Sequence, residues 1–167
     1  MSSQMPDRLE VKGDVAIFGL SANPPTGSQG HQGIVQYFAS MTLFSELWVL
    51  PVYSHIYSSK QNLLPFEHRF NMCELCFTSQ STPQCRVRVL PVERLVSDRF
   101  LAIEENTGKR PGTIDTLIFL QELYPSVQFH LILGTDTFSD LVAGKWKQHN
   151  MYVPHTLSRM NGIFFGA

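Results

Sequence analysis

The sequence predicts an α/β domain: a parallel sheet with helices on both faces, incomplete toward its C-terminal end. Three observations carry this reading. Four short apolar runs of strand length stand at residues 15–18, 46–52, 85–92 and 127–133. Segments with apolar residues at helical spacing alternate with them, the arrangement of parallel sheets covered on both faces. The first run, Val15-Ala16-Ile17-Phe18, leads through a loop of small residues at 19–30 into a helical segment, which is how a βαβ unit begins.

Each element follows in order. Residues 1–13 read as a mobile leader outside the core. After the opening strand and loop, Ile34, Val35, Phe38 and Ala39 have the spacing of one helix face. Trp48, Val49 and Leu50 centre the second strand, and the polar, turn-like stretch after it carries His55 and Lys60. Pro65 sits where a helix starts well, and Phe66, Phe70, Met72, Cys73, Leu75, Cys76 and Phe77 suit a helix with a buried face. Residues 85–92 alternate polar and apolar as a third strand, with Arg86 and Arg88 on a solvated face. Residues 93–110 are charged and irregular, a short helix and then a turn at Asn106-Thr107-Gly108. A helix from Thr113 carries Ile114, Leu117, Ile118, Leu120, Leu123 and Tyr124 on its apolar side, and Tyr124-Pro125 stops it. The fourth strand runs to Gly134, and a last short helix follows with Asp136 or Thr137 as its cap. Past Lys147 the period dissolves. One domain is therefore expected over 14–147, with a divergent or poorly ordered tail at 148–167.

Composition narrows the class. A chain of 167 residues is long enough to bury a sizeable core. Thirteen Lys and Arg against fourteen Asp and Glu leave a formal net charge of −1, which gives no support to nucleic-acid binding or a polybasic membrane surface. No run approaches the roughly 18–20 apolar residues of a membrane helix, and the first residues hold no signal-peptide core. Three cysteines argue against a disulfide framework and point to a reducing, cytoplasmic compartment. Cys73 and Cys76 form a C-x-x-C, but they fall on an apolar helix face and read as buried thiols rather than metal ligands.

The first loop is the chemically suggestive stretch. Gly19, Gly27 and Gly30 let a backbone approach an anion, Ser21, Thr26 and Ser28 supply hydroxyls, and His31 lies near a helix start, where N–H groups and the dipole favour phosphate. A purely structural turn would share this composition. The loop lacks both GxxxxGK[ST] and GxGxxG, so neither the P-loop nor the dinucleotide fingerprint applies.

Ile17-Phe18-Gly19-Leu20-Ser21-Ala22-Asn23-Pro24-Pro25 followed by Gly30-His31 resembles the G-x-[FS]-[DN]-P…[HT]-x-G-H signature of the nucleotidyltransferase superfamily. Three further stretches resemble one branch of it, the nicotinate- or nicotinamide-mononucleotide adenylyltransferases. They are Lys60 with Leu64-Pro65-Phe66-Glu67-His68-Arg69, Thr113-Ile114-Asp115-Thr116-Leu117, and Leu133-Gly134-Thr135-Asp136-Thr137-Phe138 with Lys145-Trp146-Lys147. The chain departs from the pattern twice. The first histidine of HxGH is absent, its place taken by Ser28 when counted back from His31, or by Thr26 with two residues inserted. The closing ISSTxIR-type motif is not found.

The resemblance implies a Rossmann-like fold of the nucleotidyltransferase type, and transfer of the adenylyl group of ATP to a pyridine mononucleotide in NAD biosynthesis. A truncated, weakly active or inactive relative is the alternative. ATP and the mononucleotide would be the partners, with Mg²⁺ on the phosphates; no nucleic acid or membrane partner is expected, and a homo-oligomer is left open. His31 and Lys60 would be catalytic through charge neutralisation. Gly19, Ser21, Ser28, Gly30, His31, Gly134 and Asp136 would hold ATP and its phosphates. Lys60, Arg69, Thr113 and Trp146 would hold the mononucleotide, Trp146 by stacking on its ring, while Arg69 could instead pair with Glu67 or Asp115. Each has a plainer reading: His31 as a helix-start residue, Lys60 as a solvated cation, Trp146 as a core aromatic, Asp136 as a cap.

Overall fold

The structure, a computed structural model, describes residues 9–54, 62–106, 109–143 and 145, together with the backbone of 162–166. Within these the chain alternates strand and helix: β1 (Gly13–Leu20), α1 (His31–Ser40), β2 (Glu46–Pro51), α2 (Phe66–Phe77), β3 (Arg86–Val89), α3 (Val92–Leu101), α4 (Thr113–Leu123), β4 (Val127–Gly134), α5 (Thr135–Val142) and β5 (Gly162–Gly166). All neighbouring strands pair in parallel, in the order β3-β2-β1-β4-β5.

The period-2 rule sorts the strand residues onto two cores. Val15 and Ile17 of β1, Trp48 and Leu50 of β2, and Phe129, Leu131 and Leu133 of β4 meet Val92 and Val96 of α3, Leu117 and Leu120 of α4, and Leu141 of α5. Ala16, Phe18, Leu47, Val49 and Ile132 face the other way, onto Val35, Phe38 and Ala39 of α1 and Cys73 and Phe77 of α2. The central strands are buried on both faces, which is why their sequences read as continuous apolar runs rather than as alternation.

Four features differ from the sequence-based expectation. Residues 9–13 are not outside the core: Val11 is buried in the first cluster and Leu9 packs against it, continuing the alternation of β1 toward the N-terminus. Residues 92–101 form a full ten-residue helix, because Val92 and Val96 bury one side of an otherwise charged segment. The tail supplies a fifth strand, since the run Gly162-Ile163-Phe164-Phe165-Gly166 is too short to show a period and is drawn into the sheet by pairing with β4. Finally, Arg88 is not on a solvated face. It grips Glu46 in a bidentate pair, Nε to Oε2 at 2.7 Å and Nη2 to Oε1 at 3.2 Å, and the indole N–H of Trp48 donates to the same carboxylate at 2.6 Å. Glu46 opens β2, at the end of that strand away from the loop at 21–30.

Candidate functional site

In a sheet of order 3-2-1-4-5 the chain leaves β1 in one direction and β4 in the other, so a crevice opens between the loops at their carboxyl ends. β1 and β4 are neighbours, Phe18 opposite Ile132, and so the loop at 21–30 and the start of α5 flank that crevice. The starts of α2, α3 and α4 stand at the same edge of the sheet.

The opening loop is held rigidly. Ala22 is buried and left-handed, φ 51°, an uncommon conformation for a residue with a side chain. Asn23 reaches across to the segment before α2: its amide donates to the carbonyl of Asn62, and its oxygen accepts from the N–H of Leu64, both at 3.0 Å. Arg69 completes the brace. Although charged, it is only 1% exposed. Nε donates to the carbonyl of Leu64 (2.8 Å), Nη1 to those of Ser21 (2.8 Å) and Val52 (2.6 Å), and Nη2 to that of Tyr53 (3.2 Å). The guanidinium assigned by resemblance to the mononucleotide thus ties β1, β2 and α2 together from below. It pairs with neither expected carboxylate: Glu67 bonds Arg94 at 2.5 Å, and Asp115 accepts from the N–H of Gly112 at 2.6 Å.

His31 is the first residue of α1 and is joined to Thr26 twice. The N–H of Thr26 donates to Nδ1 of His31 at 3.0 Å, and the hydroxyl oxygen of Thr26 accepts from the N–H of His31 at 2.8 Å. The neutral ring therefore carries its proton on Nε2. The ring lies 6.0 Å from that of Phe18, centre to centre, and burial pushes its pKa below the usual imidazole value. Thr26, rather than Ser28, is the residue that meets the motif histidine; Ser28 is exposed, with its carbonyl turned under α1. The two-residue insertion is absorbed by looping out residues 27–29. Two glycines make room for this. A Cβ on Gly30 would lie 2.2 Å from the Thr26 hydroxyl oxygen, and one on Gly33 only 2.0 Å from the carbonyl oxygen of Ser28. The obstacle at Gly33 is backbone, so Gly33→Ala is expected to lower the melting temperature by about 2–10 °C, measured by calorimetry.

The other expected site residues fall as follows. Gly19 is exposed near the end of β1, and a Cβ there would meet nothing closer than 4.0 Å, so its backbone is reachable from the crevice without glycine being required by packing. Ser21 holds its carbonyl on Arg69. Gly134 is the N-cap of α5, a role expected of Asp136 or Thr137. Asp136 stands one residue inside the first turn, exposed, its carboxylate accepting from the N–H of Thr137 at 2.8 Å. Thr113 opens α4, partly buried, after Gly112. Lys60 and Trp146 lie outside the described residues, as do His55, His149 and His155.

Sequence reasoning passed over Glu93. It sits in the first turn of α3 and accepts a hydrogen bond from the hydroxyl of Thr116, 3.0 Å away on α4. Burial, reinforced by the nearby Asp115 and opposed by the Thr116 bond, raises its pKa from 4.5 to about 7. A carboxyl with a raised pKa favours the folded state below pH 4.5 and loses that contribution as the pH rises through 7. Glu93→Gln is accordingly expected to gain stability on wild type between pH 5 and pH 8, by about 1–3 kcal/mol, in melts recorded at both pH values.

Cys73 and Cys85 are buried and Cys76 is partly exposed; burial pushes the thiols of Cys73 and Cys85 up to about 12 and about 11. Among the described residues no group of three His, Cys, Asp or Glu side chains could hold a metal ion, and no helix is long and apolar enough to cross a membrane. His130 pairs with Asp14 at 2.7 Å on adjacent strands.

Solved structures with this architecture define the class. A chain from Vibrio parahaemolyticus assigned as a nicotinate-nucleotide adenylyltransferase superposes with a TM-score of 0.65 at 19% identity, covering 92% of this chain and 73% of that one. The Plasmodium falciparum nicotinic acid mononucleotide adenylyltransferase complexed with NaAD gives 0.60 at 18% identity, over 92% and 74%. The fold is thus the Rossmann-like domain of the nucleotidyltransferase type. No family model matches the chain. By sequence it is 30% identical over 128 residues to the probable nicotinate-nucleotide adenylyltransferase of Myxococcus xanthus, a match covering 76% of this chain and 57% of that protein. The chain is a relative of the nicotinate-nucleotide adenylyltransferases, and it spans about half the length of the curated relatives it matches.

Proposed function

We propose that this chain carries the adenylyl-transfer site of a nicotinate-nucleotide adenylyltransferase. The observation that supports this most directly is the position of His31. It opens α1 at the carboxyl edge of β1, beside the crevice next to β4, with Nδ1 satisfied inside the loop and Nε2–H left as the ring's donor. In the reaction a 5′-phosphate oxygen of the mononucleotide attacks the α-phosphorus of ATP. The bond from that phosphorus to the bridging oxygen breaks, and pyrophosphate leaves. No covalent protein intermediate is needed; positioning and neutralisation of charge suffice.

The Nε2–H of His31, at the positive end of the α1 dipole, serves the ATP phosphates. Lys60 adds a cation, and ATP arrives as its Mg²⁺ complex, whose ion keeps water and phosphate ligands. Gly134 and Asp136, at the end of β4, are assigned to the adenosine side. Thr113, at the start of α4, and Trp146 are assigned to the pyridine ring. Arg69 acts indirectly, by holding the loop. Nicotinate mononucleotide is preferred as the acceptor, because the relatives are named for it.

The test is incubation with ATP, Mg²⁺ and either mononucleotide, following dinucleotide and pyrophosphate. Turnover with nicotinate mononucleotide supports the reading. Calorimetric binding of ATP without turnover favours the second reading, a nucleotide-binding relative that does not catalyse, which the absence of the first histidine of HxGH motivates. Neither binding nor turnover overturns both.

A further inference from the structure

We infer that Thr26 is the positioning residue for His31, setting its tautomer and its aim from five residues away. This rests on the proposed adenylyl-transfer role of His31 for its consequence in activity, but its structural content stands on the bonds alone.

Between Thr26 and His31 two bonds run in opposite directions. One fixes the backbone of His31 through the Thr26 hydroxyl, and the other occupies Nδ1 through the Thr26 N–H. Further backbone bonds close the same turn, from Gln32 to the carbonyl of Thr26 at 3.0 Å and from Gly30 to that of Gly27 at 2.9 Å. The ring thus has one nitrogen that only accepts and one that only donates, and the donor is the nitrogen not held by the loop. Shifting the proton to Nδ1 would set a donor against the N–H of Thr26, and protonating both nitrogens would do the same while adding a charge. The Phe18 ring is tilted by 56° to the His31 ring at 6.0 Å, and burial is the cause of the histidine's lowered titration.

Glycine at position 30 is part of the device. Any larger residue would drive its Cβ to 2.2 Å from the Thr26 hydroxyl oxygen and 2.9 Å from the Thr26 Cβ. Ser28, the nearer hydroxyl in sequence, is exposed and takes no part in these bonds. The two-residue insertion therefore lengthens the stretch 27–29 while the threonine still meets the histidine.

Long-range ¹H–¹⁵N spectra of protein labelled at histidine test this directly. In wild type, His31 is expected as a single Nε2–H tautomer that titrates below 6.5. Thr26→Ala and Thr26→Val keep the N–H at 26 but remove the hydroxyl that holds residue 31 against it, so the signals should show exchange between tautomers, with titration moving toward 6.5, and Thr26→Ser should restore the wild-type spectrum. Gly30→Ala should reproduce Thr26→Ala. If turnover is found, Thr26→Ala is expected to lower kcat about ten- to hundredfold and to move the acid limb of its pH profile upward, with Thr26→Ser within about threefold of wild type.

A wild-type His31 protonated on Nδ1 overturns the inference, as does a tautomer and titration unchanged in both Thr26→Ala and Thr26→Val. The wild-type measurement stands even if a variant fails to fold. A correct tautomer in a protein that binds no nucleotide leaves this inference intact and defeats the functional proposal instead.

Discussion

Arg69→Ala is expected to cost about 3 kcal/mol or more and to lower the melting temperature by about 6–12 °C, measured by calorimetry. The reason is the number of partners stranded at once. Four carbonyls, from Ser21, Val52, Tyr53 and Leu64, lose a charged donor in a place the solvent barely reaches. They lie on three segments of the chain near the site, so the loop between β1 and α1 loosens along with the fold. Arg69→Lys keeps the charge but is a point donor on a flexible stem, and it cannot span the same three segments. It should recover no more than about half of the loss. A melting temperature within a degree of wild type in Arg69→Ala would show that the carbonyls find other partners, and the brace would then be no brace. If the chain turns over, both variants should also raise KM for ATP, because Ser21 and Asn23 belong to the loop that Arg69 holds.

The second large effect concerns His31. His31→Ala is expected to lower kcat/KM for adenylyl transfer about 10²–10³-fold, the usual cost of deleting one preorganised donor to a developing charge. The fold should scarcely notice. The Thr26 hydroxyl still accepts from the backbone N–H at position 31, and only the acceptor of the Thr26 N–H is lost. Melting should therefore shift by no more than a few degrees, which separates a chemical role from a structural one. Turnover unchanged in His31→Ala would remove the histidine from the reaction.

Much of the architecture was legible beforehand because it is written in local patterns. The helix from Thr113 to Leu123 and the start of α2 after Pro65 were expected from apolar spacing and stop signals, and the structure has both. The strand at 127–134 was expected from a continuous apolar run, which is what a strand buried on both faces looks like. The tail strand was not legible, since five residues carry no period and their state depends on the open edge of β4. The helix at 92–101 was read only in part, because its charged residues are satisfied by neighbours distant in sequence: Arg94 by Glu67, Arg99 by Glu122, and Glu93 by Thr116.

The candidate site divides in the same way. The strand, the loop of small residues and the helix that His31 opens could be read from residue types and spacing. What each polar side chain does there could not. A guanidinium in a family block looks the same whether it meets a phosphate or four carbonyls. A threonine and a serine two residues apart look interchangeable until the turn decides which hydroxyl meets the helix. By itself the sequence determined the alternation of strands and helices and the place of His31 at the start of the helix after β1, because each follows from spacing along one stretch. Only the tertiary structure decided that Arg69 holds four backbone carbonyls, that Thr26 and not Ser28 holds His31, and that Glu93 is buried against Thr116. Those outcomes depend on hydrogen bonds between groups that only folding brings within 3.2 Å.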